Sequence, residues 1–234
     1  MVAALLIAVP FASSASLLNP SSNGPSASSS GAGLVGTCVV TGAGNAPFPA
    51  YDPVSHAVYV PTLASLVVLN TCAVGKVPFP TTDAPTGAAF DPQNNEVYVT
   101  DLTQNQVYVT QGMTPVATIT SASFNAPESI AFDPAADLMV VGNALANNVA
   151  FRSGVTVIGT TTVGHGPVAI DYDPFAARIL VTNSGSDNVA SLDAAHPMGT
   201  PHTDIPVGRS PNGWRSTSPT ISTTSQTLLG TTSR

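Results

Sequence analysis

The sequence predicts an all-β fold of the β-propeller class, built from four-stranded antiparallel blades. An aromatic-Asp-Pro phrase recurs along the chain, its copies lie 39, 42 and 40 residues apart, and short β-branched segments follow each copy. A period of about 40 residues is typical of propeller blades, whereas helical repeats need a 3.6-residue periodicity that this chain lacks. The phrase occurs at Tyr51-Asp52-Pro53, Phe90-Asp91-Pro92, Phe132-Asp133-Pro134 and Tyr172-Asp173-Pro174.

The fourth copy shows how one repeat divides into four strands. Its first strand, 168–172, alternates apolar and small residues and ends at the Asp-Pro turn. The second strand, 178–182, is apolar and β-branched and stops at Asn183. Segments 188–193 and 203–207 supply the third and fourth strands. The same template predicts four blades at about 45–79, 83–121, 125–163 and 164–207.

The amino-terminal segment 1–15 has features of a secretory signal. An apolar run is followed by small residues, with Ser13-Ser14-Ala15 as a cleavage site, so we expect a secreted or cell-surface protein. A short membrane anchor and a buried strand are the alternatives. About a dozen apolar residues are too few for a transmembrane helix, which needs ~20, and we expect no membrane span.

Both ends of the repeat region 34–213 differ in composition from the blades. Residues 16–33 are rich in Ser, Pro and Gly, which predicts a flexible linker, and 34–41 is predicted as a lone outer strand of a preceding blade. At the other end, 207–213 opens a fifth copy, but 214–234 is a divergent tail rich in Ser and Thr. The tail is interpreted either as a disordered segment or as the product of a slipped reading frame.

Composition excludes one class of function. The formal net charge is −7, and charged residues make up 8% of the chain, against about 25% in an average domain. Nucleic-acid binding requires a clustered basic surface, and none is present, so no nucleic-acid partner is expected. The sequence also lacks zinc spacing, a haem motif and a phosphate loop, and we expect no metal and no cofactor.

The chain has two cysteines, Cys38 and Cys72. By repeat alignment both fall on or near outer strands of neighbouring blades. An exported protein permits a disulfide between them, and two buried free thiols explain the pattern equally well. Both interpretations stay open.

Two further motifs recur, a Tyr-Val-Thr-Asp-like strand end and a Val-Gly-x-x-Pro opening, at Tyr98-Val99-Thr100-Asp101, Leu180-Val181-Thr182-Asn183, Val163 and Val207. Together with the Asp-Pro turns, these motifs resemble the YVTN family of β-propeller repeat proteins of bacterial and archaeal cell surfaces. The resemblance covers about residues 45–213.

The resemblance implies a ring that typically closes with about seven blades, whereas four are found here. A partial or open ring is therefore expected. Because each blade buries its faces against its neighbours, the first and last blades are expected to expose apolar faces. We expect self-association through these open blade edges.

Strand order predicts which loops share one end of the propeller. The loop before each first strand and the turn between second and third strands fall on one face, where ligand sites of propellers commonly gather by fold analogy. The candidate ligand-binding residues on this face are Asp83, Asp101, Asn125, Asn143, His165 and Asn183.

Structural roles compete with chemical ones for these residues. His165 lies between two glycines, where it could act as a base or a metal ligand, but no other copy has a histidine there, which favours a surface turn residue. The Asp of each Asp-Pro phrase is interpreted as a turn cap because its carboxylate accepts backbone amide hydrogens. No catalytic residue is predicted.

Two functions follow from these observations. The preferred hypothesis is a non-catalytic, exported module that mediates protein or glycan contacts at the cell surface, including surface layers. The alternative is a propeller enzyme with a site at the channel mouth, since related propellers include lactonases, a streptogramin lyase and quinoprotein or haem dehydrogenases. Those enzymes use several convergent His, Glu or Arg residues, which are scarce in this sequence.

Overall fold

The computed structural model describes residues 4–8, 16–18, 37–41, 48–70, 73–80, 83–199 and 201–213. The first three strands, β1 (Ala4–Ala8), β2 (Ser16–Leu18) and β3 (Thr37–Thr41), form an antiparallel sheet in the order β2-β1-β3. The predicted lone strand at 34–41 therefore pairs with a strand inside the signal-like segment, which corrects that prediction. The predicted cleavage site and the tail 214–234 lie outside the described residues.

Four antiparallel sheets of four strands follow, and we call them blades 1 to 4. Blade 1 contains β4 (Ala50–Asp52), β5 (Ala57–Thr62), β6 (Ser65–Asn70) and β7 (Ala73–Pro78). Blade 2 contains β8 (Pro85–Asp91), β9 (Glu96–Asp101), β10 (Gln106–Gln111) and β11 (Thr114–Thr120). Blade 3 contains β12 (Pro127–Asp133), β13 (Leu138–Asn143), β14 (Asn148–Ser153) and β15 (Thr156–Thr162). Blade 4 contains β16 (Pro167–Asp173), β17 (Arg178–Asn183), β18 (Asn188–Asp193) and β19 (Thr203–Pro206).

The Asp-Pro turns join the first two strands of each blade, and their carboxylates cap backbone amides as predicted. The Val54 amide donates to Asp52 Oδ1 at 2.7 Å, and the Phe175 amide donates to Asp173 Oδ1 at 2.9 Å. Asp91 and Asp133 accept equivalent bonds. Because the carboxylate accepts hydrogens from turn amides that have no partner in a neighbouring strand, each turn is held by contacts within its own blade.

Alternation along each strand gives every blade two faces that pack against different neighbours. Between blades 2 and 3, Tyr98 and Val109 pack with Ile130, Met139 and Val141 in one buried cluster. Equivalent clusters lie between blades 1 and 2 and between blades 3 and 4. The core of the protein is therefore a series of interfaces between blades, with no separate centre.

Arg152 lies inside the interface of blades 2 and 3, with 1% of its surface exposed. Its guanidinium group sits 4.4 Å from the centroid of the Tyr98 ring, and one of its nitrogens donates to the Gly154 carbonyl. The Tyr98 hydroxyl donates to Glu96 Oε2 at 2.6 Å, which places a carboxylate at the hydroxyl end of the ring. Burial lowers the pKa of Arg152, and the ring and carboxylate oppose that effect.

The outer strands of neighbouring blades are joined by methionines that lie over glycines. The Met113 side chain of blade 2 contacts Gly75 in β7, and Met198 of blade 4 contacts Gly159 in β15. A Cβ atom at position 159 would come within 2.7 Å of Met198 Sδ, which is closer than van der Waals contact allows. Glycine is therefore required at both positions for the thioether to reach the strand.

Replacing Gly159 by valine should displace Met198, and the free energy of unfolding should fall by no more than about 1 kcal/mol, because the thioether is the end of a flexible, partly exposed side chain that can move aside. Chemical denaturation measures this change. Thr160→Val, at the next and exposed position of β15, is the control and should leave stability nearly unchanged. A loss of several kcal/mol for Gly159→Val would contradict this description, because it would mean that Met198 cannot move aside.

The ring is not closed, and its two terminal faces differ from what the sequence predicts. On blade 1, the face turned away from blade 2 carries Val58, Val60, Val67 and Leu69, and all four side chains are buried. The outer face of blade 4 likewise buries Leu180. The expectation of exposed apolar faces is therefore wrong. Self-association through these edges remains a prediction, but the burial of exposed apolar surface does not favour it.

The outer face of blade 4 is also partly polar. Arg178 donates from Nε to Ser191 Oγ at 3.0 Å and from Nη2 to the Ser191 carbonyl at 2.6 Å. Asp171 belongs to the same face; the residue as a whole is exposed, yet desolvation of its carboxyl raises its pKa to about 6 from the ordinary 3.8. The ionised carboxylate is therefore less favourable in the folded protein than in the unfolded chain.

Stability should consequently fall as the pH rises from 3.8 to about 6, since the folded state binds this proton more tightly, and the cost should persist above pH 6. Asp171→Asn should weaken that fall and raise the thermal midpoint at pH 7, with little difference from the wild type below pH 4. Asp137→Asn makes the same charge change at an exposed turn and serves as the control. Identical pH profiles for all three proteins would disprove the assignment.

Candidate functional site

Hydrogen bonds place the predicted candidate loops at one end of the propeller. The Leu102 amide donates to the Ala84 carbonyl at 3.1 Å, and the Ala144 amide donates to the Ala126 carbonyl at 3.0 Å. In blade 4 the Gly185 amide donates to the His165 carbonyl at 2.9 Å. The loop before each first strand thus meets the turn after the second strand of the same blade. We call this end the loop face.

Asp101 is fully buried at the end of β9, and its carboxylate organises the loop face of blade 2. Oδ1 accepts hydrogens from the amides of Ala84 and Thr103, each at 3.1 Å. Oδ2 accepts a hydrogen from Gln106 Nε2 at 3.0 Å. Because both oxygens are engaged by the protein itself, Asp101 is a structural bridge between loop and turn.

Asn143 and Asn183 occupy the same position in blades 3 and 4, and both are buried. Each donates from Nδ2 to the carboxamide oxygen of a partner asparagine at 2.8 Å, Asn148 in blade 3 and Asn188 in blade 4. Asn143 Oδ1 also accepts a hydrogen from the Asn125 amide at 3.2 Å. Asn183 Oδ1 is buried without a hydrogen-bond partner, so the two blades differ at this atom.

The path of the loop before β16 explains this difference. The His165 amide donates to Ser186 Oγ at 2.6 Å and so does not reach Asn183. Gly164 passes so close to Asn183 that a Cβ there would lie 2.8 Å from the carboxamide. The glycine-flanked histidine loop therefore crosses directly over the buried amide, with its imidazole exposed above it.

Asp83 belongs to a buried polar network between blades 1 and 2. It accepts a hydrogen bond from the Tyr108 hydroxyl, which in turn accepts one from Gln106 Nε2 at 2.8 Å. The Tyr108 ring stacks on Phe79 of blade 1 with centroids 4.2 Å apart. Burial and the two nearby carboxylates, Asp83 and Asp101, raise the pKa of Tyr108, so the hydroxyl stays protonated as a donor.

The loop face also exposes side chains that the sequence did not single out. Leu63 and Leu145 follow the second strands of blades 1 and 3 and are 80% and 72% exposed. Asn125 and His165 are exposed beside them, whereas Asp83, Asp101, Asn143 and Asn183 are buried. Strand order places both turns on this face, but an exposed leucine in a turn carries no sequence signal of its own, so only the structure shows that these two side chains are exposed there.

Glu128 is a second residue whose position the sequence did not reveal. It occupies the second position of β12, where the register with β13 shifts between Pro127 and Ser129. The residue is half-buried, and burial raises the pKa of its carboxyl. A bulge residue on an inner strand can point differently from the regular alternation.

Within the described residues no group of three or more His, Cys, Asp or Glu side chains could hold a metal ion. Among the same described residues, no helix has the length and apolar character that a membrane span requires. Cys72 and the Cys38 side chain lie outside the described residues, so the disulfide and the pair of free thiols both stay open.

Solved structures share this arrangement of blades. A chain from a nidogen–laminin complex aligns with 77% of this chain and 73% of its own length, with a TM-score of 0.62 and 15% identity. The fold is a β-propeller. A periplasmic gluconolactonase from Pseudomonas aeruginosa aligns with 73% of this chain (TM-score 0.59, 18% identity), and a virginiamycin B lyase from Staphylococcus aureus aligns with 69% (TM-score 0.59, 10% identity).

This chain covers 56% of the gluconolactonase and 55% of the lyase, so it spans little more than half the length of either enzyme. No family model and no curated protein sequence matches it. At these identities the structural likeness establishes the propeller fold alone. The neighbours include enzymes as well as a chain from a nidogen–laminin complex, so fold likeness does not choose between the two hypotheses.

The difference between Asn143 and Asn183 can be measured. Asn143→Ala removes two hydrogen bonds and leaves the Asn125 amide unpaired, whereas Asn183→Ala removes one bond together with an oxygen that had no partner. We expect Asn143→Ala to cost about 1 kcal/mol more of unfolding free energy than Asn183→Ala. Chemical denaturation of both variants tests this, and the reverse order would contradict the assigned bonds.

Proposed function

We propose that this chain is a non-catalytic, exported β-propeller module of the YVTN type that mediates protein or glycan contacts at the cell surface. The loop face is the proposed contact surface. The side-chain oxygens of its buried residues Asp101 and Asn143 accept hydrogen bonds from backbone amides of their own loops. The exposed residues include Leu63, Leu145 and His165.

The distribution of polar groups on the loop face carries this proposal. A catalytic site needs side chains free to exchange protons or bind reacting atoms, and a contact surface needs exposed groups around a rigid scaffold. Buried carboxylates and carboxamides supply the rigidity here, and leucines with an asparagine and a histidine supply the surface.

Export is the second part of the proposal. The signal-like segment 1–15 supports it, and so does the low content of charged residues, with Ser, Thr and Asn supplying polarity. One structural neighbour is described as periplasmic. The YVTN-type motifs support a place at the cell surface.

Binding of the purified protein to glycan arrays and to isolated cell envelopes tests the contact surface. Replacing Leu63 and Leu145 together by serine should weaken binding several-fold, because both side chains are exposed on the loop face and lose apolar contact area. Val74→Ser with Val116→Ser changes two exposed valines on outer strands and is the matched control. Binding that depends on the control pair instead would place the contact elsewhere.

A propeller enzyme remains the second candidate because of Glu128. Its half-buried carboxyl with a raised pKa on an inner strand is a feature that acid–base sites share. A lactone-hydrolysis screen together with metal analysis of the purified protein separates the candidates. We expect no turnover; turnover and bound metal that are both lost on His165→Ala would overturn the module.

A further inference from the structure

At two of the three boundaries between neighbouring blades, a methionine side chain lies on a glycine of the outer strand. Met113 of blade 2 contacts Gly75 in β7, and Met198 of blade 4 contacts Gly159 in β15. Strand pairing gives both glycines the same position in their blades, opposite the fourth residue of the third strand. The same contact between a thioether and a glycine therefore occurs twice.

The boundary between blades 2 and 3 has different residues at the same positions. Ala117 in β11 stands opposite the fourth residue of β10, where the other two outer strands have glycine. Val155 follows Gly154 in the turn between β14 and β15, as Met113 follows Gly112 in the turn between β10 and β11. Because valine and alanine replace methionine and glycine here, packing at this place does not require a sulfur atom.

Both of these methionine side chains are open to solvent as well as packed. Met113 is 58% exposed and Met198 is 38% exposed. Met139, the third methionine of the described residues, is buried in the cluster between blades 2 and 3. A small oxidant in water therefore reaches Met113 and Met198 while the protein stays folded, whereas it reaches Met139 only when the blades open.

We propose that Met113 and Met198 are sites of methionine oxidation by a hydroperoxide, and that their oxidation releases both methionine–glycine contacts while the propeller stays folded. A lone pair of Sδ attacks the terminal peroxide oxygen, so that an S–O bond forms as the O–O bond breaks. Sulfur loses two electrons and becomes a sulfoxide. The departing oxygen takes up the proton of the transferred oxygen and leaves as water or an alcohol. This modification is independent of the contact function proposed above.

The change in polarity explains why oxidation releases the contact. The thioether is a soft, apolar group that packs well against a strand, and at Gly159 it lies so close that a Cβ would come within 2.7 Å of Met198 Sδ. A sulfoxide is larger and polar, and its oxygen accepts hydrogen bonds that water supplies. Because both side chains are flexible and already partly exposed, the oxidised form turns outward into solvent.

Other contacts keep the blades together after this release. The buried clusters between blades are formed by other residues than Met113 and Met198. Next to Met198, Thr161 Oγ1 donates to the Pro197 carbonyl at 3.0 Å, which holds this loop of blade 4 on β15. Oxidation therefore loosens the outer strands β7 and β15 and leaves the inner strands packed.

Treatment of the purified full chain with hydrogen peroxide, followed by peptide mass spectrometry, measures the order of oxidation. We expect Met113 and Met198 to be oxidised several-fold faster than Met139, because only the first two are exposed in the folded protein. The difference should disappear in denaturant, where all three side chains are equally accessible. Equal rates at the three methionines of the folded protein would overturn the proposal.

Hydrogen–deuterium exchange before and after oxidation shows whether the contacts are released. The amides of β7 and β15 should exchange several-fold faster in the oxidised protein, with far-UV circular dichroism unchanged. Residues 117–120 of β11 lie at the boundary that contains no methionine–glycine contact, and their exchange should stay the same. Unchanged exchange in β7 and β15, or acceleration that includes 117–120, would show that oxidation does not act through these contacts and would overturn the proposal.

A double variant provides the matched control, because Gly75→Ala with Met113→Val copies the residues of the boundary between blades 2 and 3. After peroxide treatment its β7 should keep the slow exchange, while β15, which still faces Met198, should respond as in the wild type. Acceleration of β7 in this variant would contradict the role of Met113. If the variant does not fold, the order of oxidation and the comparison of β7 with 117–120 in the wild type still decide.

Discussion

A four-stranded blade cannot hide both of its faces, and this constraint shapes the whole molecule. Each sheet has apolar residues on both sides, so every blade depends on a neighbour for burial. The three clusters between blades hold most of the buried apolar residues, and the methionine contacts on Gly75 and Gly159 join outer strands of neighbouring blades. The terminal faces obey the same constraint, since Val60 and Leu180 are both buried.

The polar residues of the loop face serve this stacking first. Asp101 and Asn143 each join a turn to the loop that leads into a first strand. They stand where a catalytic constellation would stand in an enzyme, but their lone pairs are aimed at backbone amides. A residue that must hold a loop in place is poorly suited to change partners during a reaction. The proposed contact function uses what remains exposed around them.

Much of the fold follows from local sequence signals. The predicted strands 168–172, 178–182 and 188–193 lie within or match β16, β17 and β18, because alternation and Asp-Pro turns act over a few residues. The turn-capping role of Asp173 follows for the same reason. By contrast, nothing local shows that Asn183 Oδ1 lacks a partner while Asn143 Oδ1 has one. That difference depends on the path of the His165 loop, which is set by tertiary contacts. Strand order places the turns of Leu63 and Leu145 on one face, but the exposure of the two side chains depends on how the surrounding loops pack.

The hydrogen bonds that fix the loops and turns determine how the stability of the protein depends on salt concentration. Most bonds that fix loops and turns pair a backbone amide with a carboxamide, hydroxyl or single carboxylate, and the two ion pairs in the described part of the chain both involve histidine. Debye screening acts on interactions between full charges and has little to weaken in such joints. The blades are thus held by contacts that tolerate wide variation in ionic strength, a useful property outside the buffered interior of a cell.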